Sequence, residues 1–438
     1  MERTKINVVD ATCGAGKTSW AVQKINDAEK VAGFGERPDK KYIYVTPFLE
    51  EVKRIIGLTK ARFFQPESET GKGSKIEHFK MLVELGESIV TTHELFKRLD
   101  SDTLEDIEAE GYTLIMDEVA NVLEPVDIGP MEIEYLLALK VIEIDEMGKV
   151  TWLDEKYGRS QQDKKFKNIK IMADNDNLFI LQEKAFYWTM NVKAFEVFDE
   201  VYILTYLFDG QMQKYYYNMF NVEYAKHCVK EKIDGRYELI EYDSTLENRK
   251  ELYDLLNIYD GKLNHNYDFR EKLPKVKQPP RMNYYQLSSG WFEKAIEKDI
   301  DQLRKNLLNY FGNVAPTPNG ELFWTTLTSM TPRLKDKKCK FNKKNDRTKD
   351  NFLPFNVRAT NDYSNRTAMA FVYNRFMNPN DKQFFTTRDV IVNEDLLAVS
   401  DLIQFLFRGC IRNGEPMNCY IPSERMRSLL KDWSEYKI

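Results

Sequence analysis

The first two hundred residues alternate short β-branched or aromatic runs with stretches of helical period, and this alternation restricts the fold more than any other feature. The runs fall at 6–9, 42–45, 88–92, 112–116 and 201–204. Strands separated by helices build a mostly parallel sheet covered on both faces, the α/β class. Ligands of such open sheets bind beyond the carboxyl ends of the strands. The polar residues that follow each run are therefore where chemistry is expected.

A chain of 438 residues exceeds what one core usually supports. Two or three domains, with a cleft between them, are expected. The pattern loosens between Glu124 and Lys193, which reads as an insertion at about 125–195. A second series follows: a strand at 237–242, a helix at 246–257, a long amphipathic helix at 291–311, strands at 322–326 and 371–373, and helix, strand and helix over 395–433. The expected division is a first domain at 1–209, a linker at 210–236 and a second domain at 237–438.

The net charge of −5 argues against a protein that coats nucleic acid through bulk electrostatics, although it leaves room for a local basic groove. Five widely spaced cysteines with no CxxC pair fit a reducing, cytoplasmic compartment better than a disulfide framework or zinc site. The first residues lack a hydrophobic signal core, and no apolar run approaches the roughly 20 residues that span a bilayer. A soluble protein with no membrane partner is expected.

The run at 6–9 leads into Asp10-Ala-Thr-Cys-Gly-Ala-Gly-Lys-Thr-Ser19 and then into a helical pattern at 20–28. Strand, glycine loop and helix are the context a phosphate-binding loop requires. Gly14 and Gly16 let the backbone approach phosphate oxygens, and Cys13, Ala15 and Ser19 complete the cradle. Lys17 reaches the β and γ phosphates, and Thr18 can hold Mg2+. Ala11 replaces the first glycine of the strict pattern. The bland alternative is a turn that happens to contain Gly-Lys-Thr.

The run at 112–116 ends in Asp117 and Glu118. A strand-end carboxylate can hold the metal, and its neighbour can polarise an attacking water. Acidic residues also end many strands without such a role.

Further segments keep a recognisable order: Tyr42-Ile-Tyr-Val-Thr46-Pro47-Phe48, Ser88-Ile-Val-Thr91-Thr92-His93-Glu94, Asp117-Glu118 and Ile203-Leu-Thr205. In the second half come Trp324-Thr325-Thr326, Arg358-Ala-Thr360-Asn361-Asp-Tyr-Ser-Asn-Arg366 and Gln404-Phe-Leu-Phe-Arg408-Gly-Cys-Ile-Arg412. Together they resemble the motifs of superfamily two, DEAD/DEAH-box-like helicases, and among these the replication helicases encoded by phages of Gram-positive bacteria. The resemblance spans both halves but not the insertion.

It implies two tandem RecA-like P-loop domains, ATP with Mg2+ as cofactor, and translocation along nucleic acid, DNA more than RNA, in phage replication with a replication protein as partner. It also implies roles. Lys17, Glu118, Arg408 and Arg412 would be catalytic, Gln404 would touch nucleotide, Asp117 would hold metal, and Thr205 would couple hydrolysis to movement. Thr46, Pro47, Thr91, Thr92, His93, Thr325, Thr360 and Asn361 would contact nucleic acid. Gln404, Arg408 and Arg412 are expected on one helix face at spacings of four, where the arginines would stabilise transition-state charge by about a thousandfold or more. The family places its second arginine three residues after the first, where this chain has Ile411.

Other features are open to two readings. The basic residues Lys335, Lys337, Lys338, Lys340, Lys343, Lys344 and Arg347 could track phosphates or form a solvated loop. Tyrosines at 215–217 and 284–285 could stack on bases, although core packing is the commoner use. His227 and His265 lack metal-ligand partners at suitable spacing. Two other classes compete: a terminase-like packaging ATPase with a nuclease domain, which needs a carboxylate cluster not visible after Tyr237, and another P-loop NTPase such as a small-molecule kinase.

Overall fold

The computed structural model describes residues 4–31, 40–68, 73–159, 164–264, 284–335, 341, 350–355 and 362–438. The chain forms two compact units. The first takes in Met1–Ala11, Ala15–Tyr242 and Asn378–Val392, and the second Thr12–Gly14, Asp243–Met377 and Asn393–Ile438. Among the described residues no helix is long and apolar enough to cross a membrane.

The first unit is built on strands β1 (Lys5–Asp10), β2 (Lys41–Thr46), β3 (Phe63–Phe64), β4 (Ser88–Thr92) and β5 (Tyr112–Asp117). They share a sheet with β11 (Glu200–Thr205), β12 (Ala225–Glu231) and β13 (Tyr237–Glu241), in the order β13-β12-β1-β11-β5-β2-β4-β3. All pairings are parallel except β12 with β13. The five runs read from sequence are strands to within a residue at each end. Their continuous apolar character has a physical cause, since a parallel sheet is buried on both faces. The central β1, β2 and β5 carry Val8, Val9, Ile43, Tyr44, Leu114 and Ile115 with essentially no exposed surface.

Between β5 and β11 the chain makes a small structure of its own. Strands β6 (Leu123–Pro125), β9 (Leu178–Leu181) and β10 (Ala185–Thr189) form an antiparallel sheet, and β7 (Ile142–Ile144) pairs with β8 (Val150–Trp152). These elements enclose a separate core around Ile133, Leu136, Trp152, Phe166, Ile180 and Phe186.

The second unit carries a parallel four-stranded sheet in the order β14-β17-β16-β15, from β14 (Leu256–Ile258), β15 (Leu322–Thr325), β16 (Ala368–Phe371) and β17 (Met417–Tyr420). Both units are thus α/β with parallel sheets, as expected of tandem RecA-like domains.

Several expected elements differ. The strand expected at 237–242 forms, but as the antiparallel mate of β12 on the edge of the first sheet rather than as the opening strand of the second series. Strand β12, paired on one side with β1 and on the other with β13, was hidden by its polar sequence, AKHCVKE, most of which stays partly exposed. The helix expected at 246–257 is short, Arg249–Asp254, and Leu256 already belongs to β14. The long helix expected at 291–311 is two, Ser289–Lys294 and Glu297–Asn309, because Ala295 and Ile296 take extended backbone. The strand expected at 371–373 lies three residues earlier, at Ala368–Phe371.

A further departure concerns Asn378–Val392, which sits late in the sequence yet packs into the first unit. Its helix, Pro379–Thr386, inserts Phe384 beside Tyr187 (ring centroids 5.0 Å apart) and Phe385 beside Tyr215 (5.7 Å). Arg388 donates to the carbonyls of Met147 (2.7 Å) and Ile180 (3.0 Å) and lies 3.9 Å over the Phe384 ring. The tyrosines at 215–217 are thereby core residues.

Candidate functional site

Strand register assembles the site. In the first unit Asp10 pairs with Thr205, Leu204 with Asp117, Val45 with Met116 and Thr46 with Thr92. Residues scattered over two hundred positions therefore end at one carboxyl edge. Strand β11 lies between β1 and β5, so Thr205 stands between the glycine loop's strand and that of Asp117. Thr205 and Thr91 are buried with hydroxyls that lack a hydrogen-bond partner. Such orphaned groups are costly, and these two stand at the carboxyl edge, where open parallel sheets bind ligands.

The loop after β1 turns through left-handed backbone at Gly14 (φ 86°) and Gly16 (φ 93°), a conformation that suits glycine. The helix Lys17–Val31 follows, with Trp20 N–H donating to Gly16 O at 2.8 Å. Its amino terminus directs a positive dipole end into the loop, a ready anion site. Lys17 Nζ folds back onto the Ala11 carbonyl. Thr18 and the exposed Ser19 occupy the first turn.

Asp117 ends β5 half-buried, and its carboxyl is raised to about 7 by desolvation and the Glu118 charge, with Lys17 and Arg54 pulling it down. Lys17, Asp117 and Glu118 thus share one electrostatic neighbourhood. Glu118 adopts left-handed backbone, φ 68°, and its N–H is held by Leu204 O at 2.9 Å. A non-glycine residue there stores on the order of 1–3 kcal/mol of strain. Among the described residues no group of three or more acidic, His or Cys side chains could hold a metal alone. One hydroxyl and one carboxylate fit Mg2+, which is usually completed by phosphate oxygens and water.

His93 Nε2 lies 2.8 Å from the Asp117 carbonyl oxygen. A carbonyl only accepts, so the ring donates from Nε2. This bond ties the segment Thr91–His93 to the strand end that bears the acidic pair. Thr46 Oγ1 donates to Phe48 O at 3.0 Å, and Pro47 continues the turn.

Two positioning residues escaped the sequence reading. Asp10 is fully buried and accepts from the N–H groups of Leu207 (2.8 Å) and Phe208 (3.0 Å), with Lys226 at 3.3 Å. It pins the loop after Thr205 to the base of the glycine loop. Burial raises its carboxyl, against the Lys226 charge and those two bonds. Gln213, fully buried on the helix Met212–Met219, accepts from Ala120 N–H (2.8 Å) and donates to Tyr217 OH (2.8 Å). It fixes the turn two residues beyond Glu118. Position next to the loop could have flagged Asp10, whereas nothing local marks Gln213.

In the second unit Thr325 ends β15, fully buried with an unpartnered hydroxyl. The single helical face expected for Gln404, Arg408 and Arg412 does not form. The helix Glu394–Leu406 carries Gln404, whose amide donates to Ser400 Oγ at 3.3 Å, and stops before Arg408. Arg412 lies on the short 3-10 turn Cys410–Asn413. Gly409 between them is extended and packed so closely that a Cβ would sit 2.6 Å from Met417 Sδ and 3.1 Å from Arg366 O. The helix thus ends at Leu406, and the chain passes Gly409 in extended backbone where packing leaves no room for a Cβ.

Thr360, Asn361, His265 and the basic residues from Lys337 to Arg347 lie outside the described residues, while Lys335 pairs with Asp350 at 2.8 Å. His227 bonds Asn7 Oδ1 at 3.0 Å, a structural role.

Residues 123–188 match the family model described as the YonV middle domain, the segment spanning β6 to β10. Residues 250–434 match the YonV C-terminal Rossmann-like domain. The SPbeta prophage-derived protein YonV of Bacillus subtilis (strain 168) is 34% identical over 445 residues, covering 99% of each chain. Among solved structures an XPD helicase aligns with a TM-score of 0.37 and 10% identity over 98% of this chain and 94% of that one. Full-length similarity at this identity is decisive: the chain belongs to the YonV family.

Proposed function

We propose that this protein is an ATP hydrolase that uses Mg2+ and acts as a nucleic-acid helicase or translocase. The observation that carries the reading is the common carboxyl edge of β1, β11, β5 and β4. It sets the Lys17 loop, Thr205, the Asp117–Glu118 pair and the Thr91–His93 segment side by side. An anion cradle with a nearby acidic pair suits hydrolysis of a phosphoanhydride, with Glu118 orienting water and Lys17 and the helix terminus neutralising phosphate charge. Bound Mg2+ would add charge neutralisation at the β and γ oxygens, held from the protein side by Thr18 and Asp117.

The link from hydrolysis to a strand rests on His93, which joins the Thr91–Thr92 segment to the Asp117 carbonyl in one hydrogen bond. DNA as the strand, and a role in phage replication beside a replication protein, extend the reading in keeping with the prophage-derived relative. Gln404, Arg408 and Arg412, with Thr325, carry the second unit's part in it.

The test is ATP hydrolysis by the purified protein with single- and double-stranded DNA and RNA. Phosphate release accelerated by a polynucleotide is expected. Hydrolysis indifferent to every polynucleotide overturns the motor and leaves a P-loop NTPase of another kind.

A further inference from the structure

We infer that the β12–β13 hairpin supplies the nucleobase subsite of the glycine-loop site, with Tyr237 as a stacking platform that accepts either purine. The inference rests on the glycine loop being a nucleotide site.

Strand β12 runs parallel to β1, with Val9 opposite His227, and continues to Glu231, so the hairpin rises beyond the carboxyl edge beside the loop. Its turn closes through Lys232 N–H to Arg236 O (2.7 Å), with Gly235 at φ 76°. That is the three-residue hairpin loop with a left-handed glycine. Arg236 pairs with Asp27 on the helix Lys17–Val31, which anchors the hairpin to that helix.

Tyr237 opens the returning strand. Its ring lies against Gly16, where a Cβ would stand 2.2 Å from Cε1 and 2.7 Å from Cδ1. Its backbone is clamped from the helix: Gln23 Nε2 donates to Tyr237 O (2.8 Å), and Tyr237 N–H donates to Gln23 Oε1 (2.9 Å). Gly16, Ser19 and Gln23 recur at helical spacing along one flank of the helix start, and Ser19 between them is exposed. With phosphates in the loop, the ribose and base must leave past the first helical turn. Tyr237, half-buried and held at both ends of that flank, stands beside this exit.

The same geometry argues for tolerance. Both polar ends of the Gln23 amide are committed to the Tyr237 backbone, so this amide is not offered to a base edge. Stacking on a ring depends on the π face, which adenine and guanine share.

The experiment is calorimetric titration of the full-length protein, in magnesium buffer, with ADP, GDP and inorganic tripolyphosphate, for the parent and for Tyr237→Phe and Tyr237→Leu. Leucine keeps bulk against Gly16 but removes the π face. The expected result is ADP and GDP binding within a few-fold of each other, both weakened on the order of tenfold by Tyr237→Leu. Tyr237→Phe should behave as the parent, and tripolyphosphate should bind all three alike. The subsite is overturned if Tyr237→Leu leaves ADP binding intact, weakens tripolyphosphate equally, or if ADP and GDP differ by orders of magnitude. A parent that binds tripolyphosphate as tightly as ADP keeps the loop and loses the subsite. A parent that binds neither loses both.

Discussion

Glu118 and Asp117 are adjacent in sequence yet carry different proposed roles, and their surroundings differ. Glu118 is held in left-handed backbone by the Leu204 carbonyl, which fixes where its carboxylate can reach. Glu118→Gln should bind ATP with little change while its turnover falls by about a hundredfold or more. A steady-state assay paired with nucleotide titration checks this, and normal hydrolysis removes Glu118 from the base role. Asp117 is legible in stability instead. Its folded carboxyl, raised to about 7, keeps a proton that the unfolded chain releases near the ordinary value of 3.8. Between those limits the folded state binds more protons, so stability contributed by this group falls as pH rises from about 4 to about 7. Denaturant melts in chelator should show that slope reduced in Asp117→Asn, and an unchanged slope would contradict the assignment. The acidic pair was readable from sequence because it ends an apolar run, but the desolvation that raises the Asp117 carboxyl was not.

Elements carry what single residues cannot. The helix Met212–Met219 reaches the turn after Glu118 through the hydrogen bond between Gln213 and Ala120. Gln213→Met leaves the buried Ala120 N–H unpaired at a cost of about 1–3 kcal/mol, whereas Gln213→Glu keeps an acceptor. The methionine variant should lose turnover more than nucleotide affinity and the glutamate variant should recover it, as kcat and KM measured on both will show. Helix termination matters equally in the second unit, where Gly409 breaks the run from Gln404 to Arg412. Helical spacing is thus no support for treating the two arginines as a pair. Arg408→Ala is expected to lower turnover by roughly a thousandfold at near-parental nucleotide affinity. An unaffected rate would return Arg408 to a structural role.

The whole molecule is not two successive lengths of chain. Asn378–Val392, reached only after most of the second unit has been traced, completes the first unit's packing on Tyr187, Tyr215 and Phe179. Phe384 is fully buried there, and Phe384→Ala should cost about 3–5 kcal/mol. A fragment ending at Tyr242 leaves those rings uncovered, so it should melt lower than the same fragment given a peptide of residues 378–392. Equal melting with and without the peptide would mean that the segment is not integral to that unit. The insertion has an independent core and its own antiparallel sheet, and its family match coincides with those elements.

The amino-acid sequence by itself determined β1, β2, β4, β5 and β11 of the first sheet, the glycine loop and the acidic pair, because each is written in a few consecutive residues whose periodicity or composition dictates local backbone. Tertiary structure alone decided what depends on register and crowding: Asp10 under the loop after Thr205, Gln213 against Ala120, the polar β12 made a strand by its neighbour β1, and the extended, tightly packed Gly409 between Leu406 and Arg412. These are contacts between residues roughly a hundred or more positions apart, or at Gly409 a packing limit imposed by Phe323, Arg366 and Met417. No local pattern encodes them, since their free energy exists only once the distant partner has arrived.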